Sequence, residues 1–439
     1  MGTATGKQGV ELLVVHAAEL VTCRAPGGRA RGEALDRLEV IRDGALAIRG
    51  ERIVAVGPTA ELAAHYTAST VLDATGRLVS PGFVDAHTHL VHAGSRHDEW
   101  QDLVRERPVA GIDAGIRRTL RATRAASSAE LRSRALADLD VMLRHGATTV
   151  EAKSGYGLDH ETELRMLSVA AALDHPVEVV PTYLGAHVLP PEYADDRAGY
   201  VDLVISLLPA ARRYAAYCDI ACDPISFTAA ECEQIAAAAV EHGFRLRVHA
   251  DQTGDASGTA LAVRFGASST DHLDEATPDA IAALAGSDTV GVLFPGVTLH
   301  MLETVPGSAR PPLRSNRPAW ARRLVDSGAT LALSTDYNPG TSPTPSMQTV
   351  MQLAARLYRL SYAEIWHMCT INAAAALDRS AEIGSLEPGK RADVVIWSVP
   401  EHGVVIHRFG ANLVDTVIVR GQTTVQGRAA RAGGDGRQT

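Results

Sequence analysis

Short apolar runs alternate with helix-like segments from about residue 81 to residue 384, and this rhythm restricts the possible fold more than any other feature. One helical unit is explicit, because Ser127 and Glu130 form a capping box, an apolar stripe follows, and Gly146 ends the helix. A strand-like run, 147–151, comes directly after it. The pattern predicts repeated strand and helix units through this region.

The strand-like runs of this region number eight. They are the opening stretch 79–90 and the runs 147–151, 177–182, 218–222, 245–249, 268–272, 289–293 and 330–334. Eight such units over about 300 residues have the size and rhythm of a TIM-like (β/α)8 barrel, so an α/β fold of this type is predicted. A doubly wound open sheet is the alternative, but no Gly-x-Gly-x-x-Gly follows the first strand.

The sequence pattern at both ends of the chain differs from that of the middle. Short apolar runs separated by glycines occur between about residues 10 and 78, and similar runs return at 392–397 and 415–422. Each end is too short to bury a core alone, which suggests one small composite β-sandwich domain built from both termini. The predicted division is 1–80 and 385–439 for the β-sandwich and 81–384 for the barrel.

The net charge and the hydropathy of the chain limit the kinds of partner that it can bind. The formal net charge of −9 argues against a nucleic-acid-binding surface, which needs clustered Lys and Arg. The longest apolar stretches stop well short of the roughly 20 residues that span a bilayer, and the first ten residues lack the apolar core of a signal peptide. Five scattered cysteines do not resemble a disulfide framework. A soluble cytoplasmic protein with neither nucleic-acid nor membrane partners is expected.

Polar side chains follow the predicted strands where a barrel enzyme keeps its reactive groups, at the carboxyl ends. His87 and His89 are two residues apart, so in an extended chain they share a face and can bind one metal ion together. A lone histidine at a strand end is more often structural. Here the strand ends carry five histidines and an aspartate, which exceeds chance: His87, His89, His187, His249, His272 and Asp336.

These residue types indicate a metal-dependent hydrolase. Imidazoles combined with a carboxylate suit zinc or ferrous iron and leave room for a water molecule. Such an ion lowers the pKa of its water to about 7, so hydroxide forms at neutral pH without a strong base. The set therefore predicts hydrolysis.

Four motifs together resemble the amidohydrolase superfamily. They are Pro81-Gly82-Phe83-Val84-Asp85-Ala86-His87-Thr88-His89, His249-Ala250-Asp251-Gln252, Ser269-Thr270-Asp271-His272 and Ser334-Thr335-Asp336-Tyr337-Asn338-Pro339-Gly340. The resemblance covers nearly the whole chain. Within the superfamily, the chain is most similar to the branch that opens 4-imidazolone-5-propanoate with water to give N-formimidoyl-L-glutamate. The motifs that carry this similarity are Gly94-Ser95-Arg96, Glu151-Ala152-Lys153-Ser154-Gly155-Tyr156-Gly157-Leu158, Thr182-Tyr183-Leu184-Gly185-Ala186-His187 and Asp336-Tyr337-Asn338-Pro339-Gly340-Thr341.

The resemblance implies that one zinc or iron ion is held by four residues: His87, His89, His249 and Asp336. It also implies a small-molecule substrate that carries a carboxylate, which the planar fork of Arg96 can hold in two hydrogen bonds. A solvated loop arginine is the alternative for Arg96. The other candidate substrate-binding residues are Tyr156 and His187 for the ring and Asn338, Gly340 and Thr341 for the carboxylate end.

Three residues are the catalytic candidates. His272 is not counted among the ligands, so it is free to polarise the carbonyl or assist the water. Asp336 is chosen as the proton shuttle to the departing ring nitrogen. Many superfamily deaminases place a glutamate three residues after the third histidine, but this chain has Gln252, which can hold water or substrate but cannot carry the proton.

Two other functions stay open at this stage. A deaminase or cyclic amidase of a small heterocycle would need an acid at position 252, and Gln252 argues against it. A scaffold protein on a decayed version of this fold would have lost metal ligands first, and here all four are present.

Lys153 is interpreted as a salt-bridged structural lysine, because the implied branch binds one metal and needs no carboxylated bridging lysine. Composite β domains of this kind often meet in dimers, which makes a homodimer the candidate assembly.

Overall fold

A computed structural model of the chain describes residues 7–105, 115–301 and 317–427. The strands of these ranges are β1 (Gln8–Val21), β2 (Val40–Arg49), β3 (Arg52–Pro58), β4 (Tyr66–Asp73), β5 (Leu78–Pro81), β6 (Phe83–Asp85), β7 (Ala147–Lys153), β8 (Glu178–Ala186), β9 (Tyr217–Cys222), β10 (Arg245–Ala250), β11 (Ser269–His272), β12 (Val290–Leu293), β13 (Leu331–Leu333), β14 (Val394–Trp397), β15 (Val414–Val419) and β16 (Gln422–Val425).

The α-helices of the same ranges are α1 (Thr59–His65), α2 (His97–Val104), α3 (Ile116–Ala125), α4 (Ser128–Arg144), α5 (His160–Ala171), α6 (Arg197–Ala211), α7 (Ala229–Glu241), α8 (Gly258–Arg264), α9 (Pro278–Ala285), α10 (Pro295–Met301), α11 (Arg317–Asp326), α12 (Met347–Leu353), α13 (Tyr362–Met368), α14 (Ile371–Ala376) and α15 (His402–His407). Helix α4 confirms the predicted capping box, since the Ser127 hydroxyl accepts the Glu130 N–H at 3.2 Å and Glu130 accepts the Ser127 N–H at 2.8 Å. Within the described ranges no helix has both the length and the apolar character needed to cross a bilayer.

The eight strands from β6 to β13 form a parallel sheet in which each strand pairs with the next one along the chain. The sheet curls until its first and last strands meet. Thr88 and Tyr337 form a parallel bridge there, and the Asp85 carboxylate accepts the Thr335 N–H at 3.0 Å and its hydroxyl at 2.6 Å. The predicted (β/α)8 barrel and all eight of its strands are thereby confirmed.

The opening stretch differs from the prediction, because it belongs to two sheets. β5 lies in the terminal sheet and β6 in the barrel, and the break falls at Gly82. A Cβ atom on Gly82 would lie 2.4 Å from the Thr148 side chain, so only glycine lets the backbone cross so close to β7. His87 and His89 consequently follow β6 instead of lying within it, with the bridge residue Thr88 between them.

The second sheet combines both ends of the chain. Its strand order is β16-β15-β14-β5-β1-β2-β3, and β4 pairs with the first half of β1. β14, from the C-terminal part, lies antiparallel between β5 and β15. One core cluster accordingly contains Leu12, Leu46 and Val79 together with Val394 and Ile418. This confirms the predicted composite β domain from both termini.

Candidate metal centre and substrate pocket

A pocket opens at the carboxyl ends of the barrel strands. Its lining residues are His89, Arg96, Ile116, Tyr156, His187, His249, Gln252, His272, Asp336, Asn338 and Thr341. Every one of them except Ile116 is a predicted site residue. His87 is fully buried and lies against the ring of His249, with 4.5 Å between ring centroids, while Gly340 lies against Arg96. The structure therefore gathers the predicted residues into one place.

His87 is fixed by contacts from two distant strands. Its ring Nδ1 lies 2.6 Å from the Asp271 carboxylate, at the end of β11, so this nitrogen carries the proton. The other ring nitrogen, Nε2, is buried, has no hydrogen-bond partner among the described residues, and lies 3.6 Å from Asp336 Oδ1. Such a nitrogen has a lone pair available for a cation.

His249 repeats this arrangement at the end of β10. Its Nδ1 lies 3.0 Å from Asp219 on β9, and its Nε2 is buried without a hydrogen-bond partner in the described part of the chain. Burial by itself would lower the pKa of His249, but the neighbouring Asp219 carboxylate outweighs burial and raises it. Asp219 thus both orients the ring and makes it a better electron donor.

His89 and Asp336 complete the group. His89 Nε2 lies 3.5 Å from Asp336 Oδ1, which is itself buried and without a hydrogen-bond partner in the described ranges. Burial holds the pKa values of His87 and His89 well below their usual range, so both rings are neutral at pH 7. Burial also raises the pKa of Asp336 to about 7, because desolvation disfavours the charged carboxylate.

These residues fit a divalent metal ion. The donor atoms of His87, His89 and His249 lie within 4.8 Å of one another, and so do those of His87, His272 and Asp336. Buried imidazole nitrogens and a carboxylate oxygen left unpaired are costly unless a further group satisfies them. A cation bound by three imidazoles and one carboxylate would satisfy His87 Nε2, His249 Nε2 and Asp336 Oδ1, with His89 Nε2 as the fourth donor.

A charged layer lies directly beneath these ligands. Lys153 is fully buried, and its ammonium donates to Asp219 at 2.6 Å and Glu151 at 2.8 Å, with Asp271 at 3.7 Å. Lys153 is therefore the salt-bridged structural lysine of the prediction. Sequence reasoning gave no role to Asp219 or Asp271. The available signal was an acid inside an otherwise apolar strand run, as in 217–222.

Gly340 has a steric reason to be glycine. A Cβ atom at this position would lie 2.1 Å from Nη1 of Arg96, so the missing side chain makes the space that the guanidinium occupies. The N–H groups of Gly340 and Thr341 both donate to Asn338 Oδ1, at 2.9 and 2.8 Å. These donors, which were predicted to hold a carboxylate, are thus already used within the turn.

Tyr156 is held by its loop, which wraps around one buried carboxylate. Glu163 on α5 accepts the backbone N–H of Gly155 at 3.1 Å and those of Gly157 and Leu158 at 2.8 Å. His187 Nδ1 lies 2.9 Å from the Gly155 carbonyl, so this nitrogen carries the proton and Nε2 is the acceptor. The loop therefore fixes two of the predicted ring-binding residues at once.

His272 and Gln252 line the remaining wall. Burial, then the neighbouring His249, keeps the pKa of His272 well below its usual value, so a neutral imidazole faces the pocket. His272 has a φ of +83°, a strained value for a residue with a side chain. Asp223 accepts the backbone N–H of Gln252 at 2.9 Å, which fixes the loop that carries this amide.

Comparison with known proteins agrees with this geometry. A model described as "Amidohydrolase family" matches residues 78–424, and one described as "Imidazolonepropionase-like composite domain, bacteria" matches residues 44–68. A protein of Chloroflexus aggregans named imidazolonepropionase is 41% identical, over 94% of this chain and 98% of its own length. One of Symbiobacterium thermophilum with the same name is 43% identical, over 96% and 99%.

Solved structures that resemble this fold are more distant in sequence. An adenosine deaminase from Xanthomonas campestris with bound zinc has a TM-score of 0.66 and 18% identity, covering 96% of this chain and 94% of its own. Guanine deaminase of E. coli has a TM-score of 0.67 and 15% identity, covering 94% and 99%. At this identity the likeness supports the fold alone. The family model and the relatives matched over nearly their full length show that the chain belongs to the amidohydrolase family and, within it, to the imidazolonepropionases.

Proposed function

We propose that this protein hydrolyses 4-imidazolone-5-propanoate to N-formimidoyl-L-glutamate, by cleaving a carbon–nitrogen bond of the cyclic amide. Relatives named imidazolonepropionase that are about 40% identical over nearly the whole chain support this. The observation that carries the proposal is the placement of Arg96 in the same pocket as His89, His249 and Asp336. A cation-binding group and a carboxylate-binding group thus face one small substrate.

The residues that would hold the metal are His87, His89, His249 and Asp336. Their donor set suits zinc or ferrous iron. Once bound, such an ion acts as a Lewis acid and lowers the pKa of water. Asp271 and Asp219 would hold the rings of His87 and His249 in the ligating orientation, through contacts of 2.6 and 3.0 Å.

The rest of the pocket would bind and orient the substrate. Arg96 offers its terminal nitrogens to the propionate carboxylate in a two-pronged contact. Tyr156 and His187 would contact the substrate ring from one side, since their own rings lie next to each other with 5.4 Å between centroids. Asn338, held by its own turn, and Thr341 would line the pocket at the carboxylate end of the substrate. Fixing both ends of the substrate would bring the carbonyl carbon close to His272 and Asp336, which line the same pocket.

Two side chains would handle the charge and the proton. Water oxygen adds to the ring carbonyl carbon, and His272, a neutral imidazole, stabilises the charge that develops on the carbonyl oxygen. Asp336 accepts the proton of the water and delivers it to the ring nitrogen as the carbon–nitrogen bond breaks. Gln252 contributes hydrogen bonds only.

The test is to incubate metal-loaded protein with 4-imidazolone-5-propanoate and follow its ultraviolet absorbance. We expect the absorbance to decay and N-formimidoyl-L-glutamate to accumulate. His249→Gln should abolish the reaction, whereas His242→Gln, at an exposed histidine that caps α7, should not change it. Metal analysis of both variants shows whether the loss comes with loss of the ion. Unchanged absorbance with metal-loaded wild-type protein would reject the proposed substrate.

We also propose a domain division and an assembly for this chain. The terminal sheet draws its strands from Gln8–Val21 to Leu78–Pro81 and from Val394–Trp397 onward, which supports a β domain of 1–80 and 385–439 around a barrel of 81–384. We also propose a homodimer in the cytoplasm, without nucleic-acid or membrane partners. Size-exclusion chromatography and cell fractionation test these two statements.

A further inference from the structure

We infer that Glu99 is a positioning residue for substrate recognition: it locks Arg96 by one edge so that the other edge of the guanidinium is presented to the substrate carboxylate. The inference rests on the proposed function, since it takes Arg96 to be the group that binds the carboxylate. Nothing in the sequence pattern pointed to Glu99, because an acid three residues after an arginine in an exposed-looking helical turn is common.

The contacts of Glu99 divide its carboxylate between two partners. Oε2 accepts the Nε–H of Arg96 at 2.8 Å, and Oε1 accepts the backbone N–H of Gly115 at 2.9 Å. Glu99 lies in the first turn of α2, and Gly115 immediately precedes α3. The carboxylate therefore ties the guanidinium to the start of a second helix, which fixes its position from a point outside the Arg96 backbone.

Among the described residues, this arrangement leaves the edge of Arg96 that carries both terminal nitrogens without a hydrogen-bond partner. The Nε edge is used by Glu99, while neither terminal nitrogen has a hydrogen bond to another described residue. Nη1 fills the space left by the missing side chain of Gly340, and Arg96 lines the pocket together with Asn338 and Thr341. A guanidinium confined on both sides loses little rotational freedom when it binds a carboxylate, so its two remaining donors act as a preformed fork.

The burial of the pair makes the ion pair effective. Only 13% of the Arg96 side chain and 10% of the Glu99 side chain are exposed. Charged hydrogen bonds are stronger in such surroundings than at the surface, where ion pairs contribute little. The Glu99 charge also opposes that of the substrate carboxylate. Positioning and repulsion thus act in opposite directions, and we infer that positioning dominates.

The probes are two ligands of equal size that differ in charge, 3-(imidazol-4-yl)propanoate and its neutral amide, titrated calorimetrically into the metal-loaded protein. In Glu99→Gln the dissociation constant of the acid should rise about tenfold relative to that of the amide. The affinity for the amide itself should stay within about twofold of the wild-type value. Asp98→Asn is the matched control, because Asp98 loses the same charge in the same turn but pairs with Arg118 and not with Arg96. Its ratio of the two dissociation constants should equal that of the wild type.

Kinetics give a second readout. Glu99→Gln and Glu99→Ala should raise KM for 4-imidazolone-5-propanoate about tenfold with kcat within about twofold, and adding either change to Arg96→Met should have no further effect. If Glu99 had a purely structural role, its replacement would reduce the fraction of active protein, which lowers the apparent kcat, and would weaken the binding of both ligands equally. That outcome, or tighter binding of the acid in Glu99→Gln, overturns the inference. If the wild type binds the acid through Glu99 and Arg96 but hydrolyses nothing, the inference stands and the proposed function fails.

Discussion

Replacing Lys153 with methionine should destabilise the protein and weaken its metal site together. Methionine fills a similar volume but removes the only ammonium in contact with Asp219, Glu151 and Asp271 within the described ranges. Arg247 still contacts Glu151 at 3.1 Å, so the unpaired charge falls on the two aspartates. Breaking a buried ion pair by removing one partner costs about 3–5 kcal/mol, because the other charge stays buried.

The expected shift in melting temperature is small despite this cost. An unfolding entropy of about 2.1 cal/mol/K per residue gives about 0.9 kcal/mol/K for 439 residues, so about 4 kcal/mol lowers Tm by about 4 °C. Metal affinity should fall about 10–100-fold, because Asp219 and Asp271 orient the rings of His249 and His87. Differential scanning calorimetry and a competitive chelator titration measure the two effects.

The stability deficit of Lys153→Met should also depend on pH. Burial raises the pKa of Asp271 to about 6, and the Lys153 charge opposes that rise. A carboxyl whose pKa is raised in the folded state loses stability as the pH rises through that pKa. Removing Lys153 raises the Asp271 pKa further, so the difference from wild type should grow between pH 5 and pH 8.

The control for this experiment is Lys390→Met. Lys390 pairs with Glu387 at 3.1 Å just before β14, away from the pocket, so the same substitution there should leave metal affinity unchanged. A Lys153→Met protein that melts within about 1 °C of wild type at pH 8 and binds metal with wild-type affinity would refute the reasoning, since it would show that the buried carboxylates do not need the ammonium.

Three further predictions test the pocket. Arg96→Met should raise KM with little change in kcat, because Arg96 binds the carboxylate of the substrate. His272→Ala should lower kcat about 100-fold with little change in KM, because His272 stabilises the transition state. Steady-state kinetics that show the reverse would reject these roles. Gly340→Ala should raise KM about tenfold, since its Cβ would lie 2.1 Å from Arg96 Nη1, and unchanged kinetics would show that the guanidinium moves freely. Glu163→Gln should weaken binding by loosening the Tyr156 loop, because the amide has no charge and its NH2 group, a donor, would replace the oxygen Oε2 that accepts the Gly155 N–H at 3.1 Å. Crystal structures of the variant with the loop unchanged would contradict this.

The local pattern of the sequence was sufficient for the barrel. Eight apolar runs separated by helical or loop segments predict parallel strands, and each run contains one strand of the barrel. The six candidate residues at the strand ends followed from the same pattern, because parallel strands bring their carboxyl ends to one edge, whereas the choice of four ligands among them came from the family resemblance. The one boundary that went wrong, inside 79–90, was set by a close approach of Gly82 to Thr148, which involves a residue far along the chain.

The sequence by itself determined the order of strands and helices, the edge of the barrel that carries the chemistry, and the residue types available there. Only the tertiary structure decided which nitrogen of each imidazole is left free, that Lys153 joins two carboxylates beneath the ligands, and that Glu99 and Gly340 confine Arg96. The physical reason is range: backbone hydrogen bonding imposes periods readable within a few residues, whereas a contact of about 3 Å between side chains of different strands depends on how the whole barrel twists and closes.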